Sequence, residues 1–116
     1  MICVSIACGS HKRMLTELND LAEAGIKLVE LRLDFLRKMP DLGRLLPNRP
    51  IPVIVTVRRK QDGGLWSYDE EKRMILLRSA IISGADYVDI EADIAKSIPR
   101  YGTAKRLISY HNFEKT

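Results

Sequence analysis

The segment LVELRLDF, from Leu28 to Phe35, alternates strictly between apolar and charged side chains. This period of two is typical of a β-strand with one apolar and one polar face. The apolar face carries Val29, Leu31 and Leu33, and the polar face carries Glu30, Arg32 and Asp34. A strand whose polar face is in water would show the same pattern as a strand whose polar face lines an enclosed space. The rest of the chain decides between these two interpretations.

Four further segments repeat this division and are separated by helical segments. Strands are predicted at 2–7, 53–58, 87–93 and 106–113, helices at 11–24, 41–46 and 68–83, and a weak helix or turn at 94–101. Strands that alternate with helices predict a parallel sheet with right-handed crossovers. Because the helices then cover the outer face, the charged face must line an enclosed space, where charges are costly unless they are paired or bind a ligand.

The polar positions concentrate toward the carboxyl ends of the strands, where a (β/α)8 barrel builds its site. An open doubly wound sheet would favour apolar residues on both strand faces. A complete barrel needs ~200–250 residues, whereas these 116 residues supply about five strands. We therefore predict an α/β fold of the parallel (β/α)8 TIM-barrel type, with residues 1–116 forming a single domain that is half of a barrel. Either a longer chain or a second chain is expected to supply the remainder.

Composition narrows the class of partner. The hydrophobic content of 46% is that of a globular protein, and 19 basic against 15 acidic residues give a net charge of +4. No basic run is interleaved with aromatic residues, so that an anionic small molecule is favoured over nucleic acid. No apolar run is long enough to span a membrane. The thiols of Cys3 and Cys8 lack a metal-binding spacing and suggest the reducing cytoplasm.

Two arginines are candidates for binding an anion. Arg32 and Arg58 each lie near the carboxyl end of a strand and should point inward. A guanidinium offers a fixed fork of donors that suits a carboxylate. The alternative for Arg32 is that it only neutralises a neighbouring carboxylate, from Glu30, Asp34 or Glu91.

The two histidines receive different interpretations. His111 ends the fifth strand on the face of Ser109, where a neutral imidazole can both take and give a proton. A structural role is the alternative for His111. His11, at the start of the first helix, is expected to be a solvated side chain.

Acidic residues and glycines offer further sites. Asp89, Glu91 and Asp93 alternate along one strand and could converge on a hard cation. We disfavour a metal site because Arg32 and Arg58 share this interior and act as counter-ions. The flexible polar segment RRKQDGG, at 58–64, matches no phosphate-binding fingerprint. Its Asp62 is either part of an ordinary turn or a lid carboxylate that closes over the site.

Four segments together resemble one family, the type I 3-dehydroquinate dehydratases of the shikimate pathway. They are VELRLD at 29–34, TVR with the DGG that follows it, YVDIEAD at 87–93 and ISYHNFEKT at 108–116. The resemblance implies a (β/α)8 barrel that removes water from 3-dehydroquinate to give 3-dehydroshikimate. It also implies an imine between a lysine and the substrate ketone, with no metal and no organic cofactor. The imine acidifies the neighbouring C–H so that a histidine can remove the proton.

The resemblance also assigns roles to residues. His111, in SYHNF, corresponds to the general acid/base. Glu30 and Arg32 correspond to a pair that contacts the substrate, Arg58 to an arginine that holds the substrate, and Ser5 to a serine in the same pocket.

The family places its imine-forming lysine on a strand after SYH, beyond Thr116, together with another substrate-binding arginine and a closing loop. None of the eight lysines of this chain corresponds to that position. Asp62 stands where the family often has a glutamate. We therefore expect the complete protein to be an enzyme and this chain alone to be inactive or nearly so.

Two other functions stay open. One is a non-catalytic or partner-dependent half barrel, since two open sheet edges and an uncovered polar interior invite a homodimer or a complementing second half. The other is a Schiff-base barrel of the aldolase kind, with a different carbonyl substrate.

Overall fold

The computed structural model describes residues 2–97 and 105–109 of the chain. Five parallel strands form one sheet in the order β1-β2-β3-β4-β5. The strands are β1 Cys3–Ile6, β2 Leu28–Arg32, β3 Val53–Thr56, β4 Tyr87–Glu91 and β5 Lys105–Ser109. The helices are α1 His11–Glu23, α2 Leu42–Leu45 and α3 Glu70–Ile82. Each strand pairs with the next strand in sequence, as in a (β/α)8 barrel. In a doubly wound sheet, by contrast, the order of the strands reverses at one point. The predicted α/β partial barrel is confirmed.

Four strands end earlier than the sequence predicts: β1 ends one residue early at Ile6, β3 ends two residues early at Thr56, and β2 and β4 each lead into a 3-10 turn. β2 stops at Arg32 and the chain continues as a 3-10 turn, Leu33–Phe35, closed by the Leu36 N–H on the Leu33 carbonyl at 3.2 Å. β4 stops at Glu91 and leads into a second 3-10 turn, Ala92–Ser97. The apolar and charged residues keep alternating through Leu33–Phe35 and as far as Asp93, so the pattern did not reveal the ends of β2 and β4.

The apolar core lies between the helices and the outer face of the sheet. It contains from the strands Val29, Leu31, Val53, Val55, Val88 and Ile90, and from the helices Met14, Leu18, Leu77, Ala80 and Ile81. Each of these side chains larger than alanine contributes roughly 1.5–3 kcal/mol when it is buried. The opposite face of the sheet carries the polar residues, beginning with Ser5 opposite Glu30. The sheet therefore separates a packed outer layer from a polar interior, as predicted.

The ends of the helices follow local capping signals. Ser10 caps α1, because its hydroxyl accepts the Arg13 N–H at 3.1 Å. Helix α3 begins at Glu70, two residues later than predicted. Asp69 is the cap and accepts the Lys72 N–H at 2.8 Å. The indole of Trp66 donates to the Asp69 carbonyl at 3.1 Å, which holds the chain in place just before the helix begins.

His11 is buried, and the prediction of a solvated side chain is wrong. Its Nε2 accepts the Asp41 N–H at 2.9 Å, which joins the start of α1 to the start of α2. Burial lowers the pKa of His11, and the positive charges of Arg44 and Lys38 act in the same direction against the attraction of Asp41. The imidazole is thus held as a neutral acceptor.

None of the helices in the described ranges has the length and apolarity that crossing a bilayer requires.

Candidate active site

Glu30 lies at the centre of the polar face and joins three strands. Its Oε1 accepts the hydroxyl of Ser5 on β1 at 2.6 Å, and its Oε2 accepts the hydroxyl of Thr56 on β3 at 2.6 Å. Hydrogen bonds to an ionised carboxylate are short and strong. Two rigid donors therefore fix the orientation of this carboxylate on the polar face. Thr56 is 1% exposed, whereas Ser5 is open to solvent.

Arg58 reaches over this face from the end of β3. Its Nη2 is 3.4 Å from Oδ2 of Asp89 and 3.8 Å from Oε2 of Glu30. Both distances are longer than those of a good charge-assisted hydrogen bond. Within residues 2–97 its guanidinium forms no bidentate pair, which leaves donors available for an anion.

Arg32 is engaged much more closely. Its Nε and Nη2 donate to the two oxygens of Asp34 at 3.0 and 2.9 Å, and the guanidinium lies 4.9 Å from the centre of the Phe35 ring. Asp34 is buried and also accepts the Leu65 N–H at 3.0 Å. The geometry thus shows the alternative in which Asp34 neutralises Arg32. Of the two arginines predicted to bind an anion, Arg58 therefore has more guanidinium donors available than Arg32.

The segment after β3 is a compact turn, although the sequence suggests a flexible loop. It contains a 3-10 turn, Lys60–Asp62, and Asp62 is 6% exposed. The carboxylate of Asp62 accepts a hydrogen bond from Nε of Arg59. Gly64 packs directly on the backbone of Arg58, where an added Cβ would lie 2.2 Å from the carbonyl oxygen. The turn and the base of Arg58 therefore form one packed unit.

Arg59 and Arg73, which the sequence analysis missed, neutralise the end of β4. Arg59 donates to both oxygens of Asp93 at 2.9 and 3.2 Å and lies 3.5 Å from Oε1 of Glu91. Arg73 Nη1 lies 2.6 Å from the same Oε1, an ion pair whose angle is not that of a hydrogen bond. Among the described residues no group of three or more side chains could hold a metal ion.

The titration of these groups follows from their surroundings. Burial raises the pKa of Glu91, and the charges of Arg73 and Arg59 oppose that shift. The hydrogen bond from Arg59 lowers the pKa of the Asp93 carboxyl. Burial works against the charge of Arg59, but its hydrogen bonds to Asp93 and Asp62 outweigh burial and raise its pKa. These arginines stay charged and stabilise the anionic forms around them.

A surface cavity of about 510 Å³ lies elsewhere, on the outer side of the protein. It is lined by residues 39–42 and by the exposed side of α3, including Ile75 and Ser79. None of the predicted site residues lines it, and it carries few polar groups. Position and chemistry both favour the polar face at the strand ends as the active site.

Comparison with known proteins gives this polar face a context. The model of a family described as type I 3-dehydroquinase matches residues 2–116. The chain belongs to the type I 3-dehydroquinase family. The resemblance drawn from the four sequence segments is thereby confirmed, and the match favours this family over an aldolase-type barrel.

Individual members of the type I 3-dehydroquinase family match along the whole chain. The bifunctional 3-dehydroquinate dehydratase/shikimate dehydrogenase of Arabidopsis thaliana is 36% identical over 100% of the chain, which covers 21% of that protein. The 3-dehydroquinate dehydratase of Methanopyrus kandleri is 33% identical over 100% of the chain, covering 55% of that protein. The chain thus spans about half the length of the monofunctional relative and a fifth of the bifunctional one.

Solved structures of 3-dehydroquinate dehydratases share the fold. The Enterococcus faecalis structure matches with a TM-score of 0.74 at 22% identity, over 97% of this chain and 53% of that one. The Aquifex aeolicus structure matches with a TM-score of 0.68 at 25% identity, over 98% and 54%. The arrangement of five strands is therefore that of part of a type I 3-dehydroquinase barrel.

The structure brings some of the predicted site residues together. Ser5, Glu30 and Arg58 meet on the polar face, and Arg32 lies at its rim with Asp34. His111 lies outside the described residues. The role of Thr56 was missed, although its position two residues before Arg58 on one strand was a usable signal. The ion pairs that Arg59 and Arg73 form with Glu91 have no comparable local signal in the sequence.

Proposed function

We propose that this chain is the N-terminal half of the barrel of a 3-dehydroquinate dehydratase, a hydro-lyase of the shikimate pathway. Residues 1–116 then form one domain unit, which further strands complete. The observation that carries the proposal is that Glu30 and Arg58, on which the family resemblance rests, meet at the carboxyl ends of the strands. That is the face on which (β/α)8 enzymes assemble their sites.

Arg58 is proposed to bind the substrate carboxylate. Its long contacts with Asp89 and Glu30 can be exchanged for a bidentate pair with little loss. Glu30 is held by two hydroxyl groups and keeps lone pairs that can accept from a substrate hydroxyl. Arg32 is the second proposed contact, once part of its pairing with Asp34 is shared with the ligand.

The charges of this half indicate what the other half must contribute. Glu30 and Asp89 carry two negative charges beside the single positive charge of Arg58. An anionic substrate is repelled by such a surplus unless further cations surround it. We therefore propose that the completing strands bring at least one cationic group, together with the lysine.

The proposed reaction is an elimination through an imine. The lysine nitrogen condenses with the substrate ketone and releases water, and the cationic imine acidifies the adjacent C–H. His111 removes that proton, the electron pair expels the hydroxyl group from the next carbon, and the same imidazole returns the proton to form water. Hydrolysis of the imine then frees 3-dehydroshikimate. Asp62, as a lid carboxylate, would have to exchange Arg59 for the ligand.

The test is turnover of 3-dehydroquinate, followed by the ultraviolet absorbance of the conjugated product. We expect no turnover by the purified 116-residue chain and turnover after the completing strands are supplied, either fused or as a separate polypeptide. His111→Ala should abolish the activity, and His11→Gln should retain it, because the His11 imidazole accepts the Asp41 N–H and joins α1 to α2. Turnover by the intact short chain alone would contradict the half-barrel proposal, and no turnover by the completed protein would contradict the dehydratase.

A second candidate is a partner-dependent half barrel without catalysis. β1 has a strand partner on one side only within the described residues, and Ile2 beside it is 73% exposed. An unpaired edge of this kind is a template for another strand. Sedimentation over a range of concentrations measures a homodimer directly, and this candidate requires that 3-dehydroshikimate does not bind to the assembled protein.

The cytoplasm remains the proposed location. Cys3 and Cys8 are both free thiols, which is the usual state in a reducing compartment.

A further inference from the structure

Arg73 is a fully buried arginine in the first turn of α3. It is 0% exposed, although α3 lies on the outside of the sheet. Its Nε and Nη2 donate to the two oxygens of Glu70 at 2.6 and 2.8 Å. Its Nη1 donates to the Val57 carbonyl at 2.8 Å and lies 2.6 Å from Oε1 of Glu91. One side chain thus joins α3, the end of β3 and the end of β4.

The groups that Arg73 contacts surround the backbone of Arg58. The carbonyl of Val57 belongs to the peptide bond that leads into Arg58. The next carbonyl, that of Arg58, accepts the Trp66 N–H at 3.2 Å. Glu91 in turn lies 3.5 Å from Arg59, the residue that follows. The peptide groups on both sides of Arg58 are therefore fixed, and Arg73 fixes the first of them through its hydrogen bond to the Val57 carbonyl.

Stability alone does not account for such a group. A buried ion pair often contributes no more to stability than apolar residues of the same volume, because the charges lose their hydration. A planar guanidinium, however, directs several donors at fixed angles, which a lysine ammonium cannot do. The location of Arg73 under the candidate anion-binding arginine suggests that this fixed geometry is what it provides.

We propose that Arg73 is a positioning residue that sets the direction of Arg58 through the Val57 carbonyl and Glu91. The inference rests on the proposed function, in which Arg58 binds the substrate carboxylate. Arg73 itself touches no substrate. Its effect is to restrict Arg58 to the orientation that faces the polar interior.

The test is Arg73→Lys in the protein with a completed barrel. We expect KM for 3-dehydroquinate to rise about tenfold, with kcat changed less than about threefold, because an interaction made by bound substrate and transition state alike is weakened. Arg49→Lys is the matched control. Arg49 also joins an aspartate, Asp86 at 2.9 Å, to two backbone carbonyls, but at the amino ends of β3 and β4. It should lower the denaturation midpoint without moving KM.

A double mutant separates positioning from general damage. In an Arg58→Ala background, Arg73→Lys should leave KM unchanged, since the group that it directs is gone. Glu70→Gln is the milder variant, should Arg73→Lys fail to fold, and it should raise KM a few fold in the same direction. The inference is overturned by an unchanged KM in both variants, by an equal rise in Arg49→Lys, or by an equal rise in the Arg58→Ala background.

A separate readout keeps this inference distinct from the dehydratase itself. If the completed wild-type protein neither binds nor converts 3-dehydroquinate, the proposed function fails. The order parameter of the Arg58 Nε–H bond, measured by NMR relaxation, then tests the positioning. It should fall in Arg73→Lys and not in Arg49→Lys, and an unchanged value in Arg73→Lys overturns the inference.

Discussion

Gly64→Ala should destabilise the protein because the turn after β3 packs on the backbone of Arg58. An added Cβ would lie 2.2 Å from the Arg58 carbonyl oxygen and 2.5 Å from its carbonyl carbon. Ordinary contacts begin at 3.4 Å, so the two segments must separate by about an ångström, as the same distances show. The atoms that are met belong to the backbone and to Cβ, and neither can rotate away.

The cost follows from these contacts. Overpacking of this kind costs about 1–3 kcal/mol. The separation also strains the neighbouring bonds, from the Gly64 N–H to the Arg59 carbonyl at 2.8 Å and from the Trp66 N–H to the Arg58 carbonyl at 3.2 Å. Losing one of them adds about 1 kcal/mol. We expect Gly64→Ala to lower the free energy of unfolding by about 2–4 kcal/mol.

Urea unfolding measures this change, and Gly25→Ala is the control. Gly25 has a φ of 85°, with nothing within 4 Å of an added Cβ. Its cost is limited to the left-handed conformation, about 1–2 kcal/mol. If Gly64→Ala unfolds at the same urea concentration as Gly25→Ala, or higher, the argument that the turn and Arg58 form one packed unit is refuted.

Three further predictions concern Thr56, the two arginines Arg58 and Arg32, and His11. Thr56→Val removes a hydroxyl that donates to Glu30 and should cost about 1.5–3 kcal/mol in urea unfolding; a loss below about 0.5 kcal/mol would contradict the role of this hydrogen bond. Arg58→Lys should raise KM of the completed enzyme about tenfold with little change in stability, whereas Arg32→Lys should mainly lower the unfolding midpoint; the reverse pattern would exchange their roles. Burial lowers the pKa of His11 in the folded state, so the unfolded chain binds the proton more readily. The contribution of neutral His11 to the free energy of unfolding is therefore complete above pH ~6.5 and is lost as the pH falls below that value. In thermal melts at several pH values, His11→Gln should flatten the dependence of the melting temperature on pH. An unchanged dependence would contradict the role of His11 as a buried, neutral acceptor.

Sequence alternation was sufficient to predict the strands, their faces and the partial barrel. It works here because each strand separates an apolar helix layer from a polar interior, so that every second residue reports its face. Glu30 and Arg58 could be placed near each other for the same reason, since parallel strands end at one edge. Alternation could not give the strand ends, because charge and apolarity keep alternating through the turn at Leu33–Phe35.

Contacts between distant residues account for the remaining differences. The burial of His11 depends on the Asp41 N–H, thirty residues further along the chain. Arg73 lies within a helix, where arginines are ordinarily solvated, and its burial depends on Glu91 and the Val57 carbonyl. Such partners are joined only by the fold, and no local pattern in the sequence marks them.

We propose that this chain supplies the binding half of an imine-forming dehydratase whose lysine lies outside residues 1–116. Intact-mass spectrometry after incubation with 3-dehydroquinate and borohydride tests it most directly, because borohydride reduces an imine to a stable amine. We expect a covalent adduct on the completed protein, mapped by peptide mass to a lysine beyond Thr116, and none on the 116-residue chain. An adduct on any of the eight lysines within residues 1–116, or no adduct on the completed protein, would contradict it.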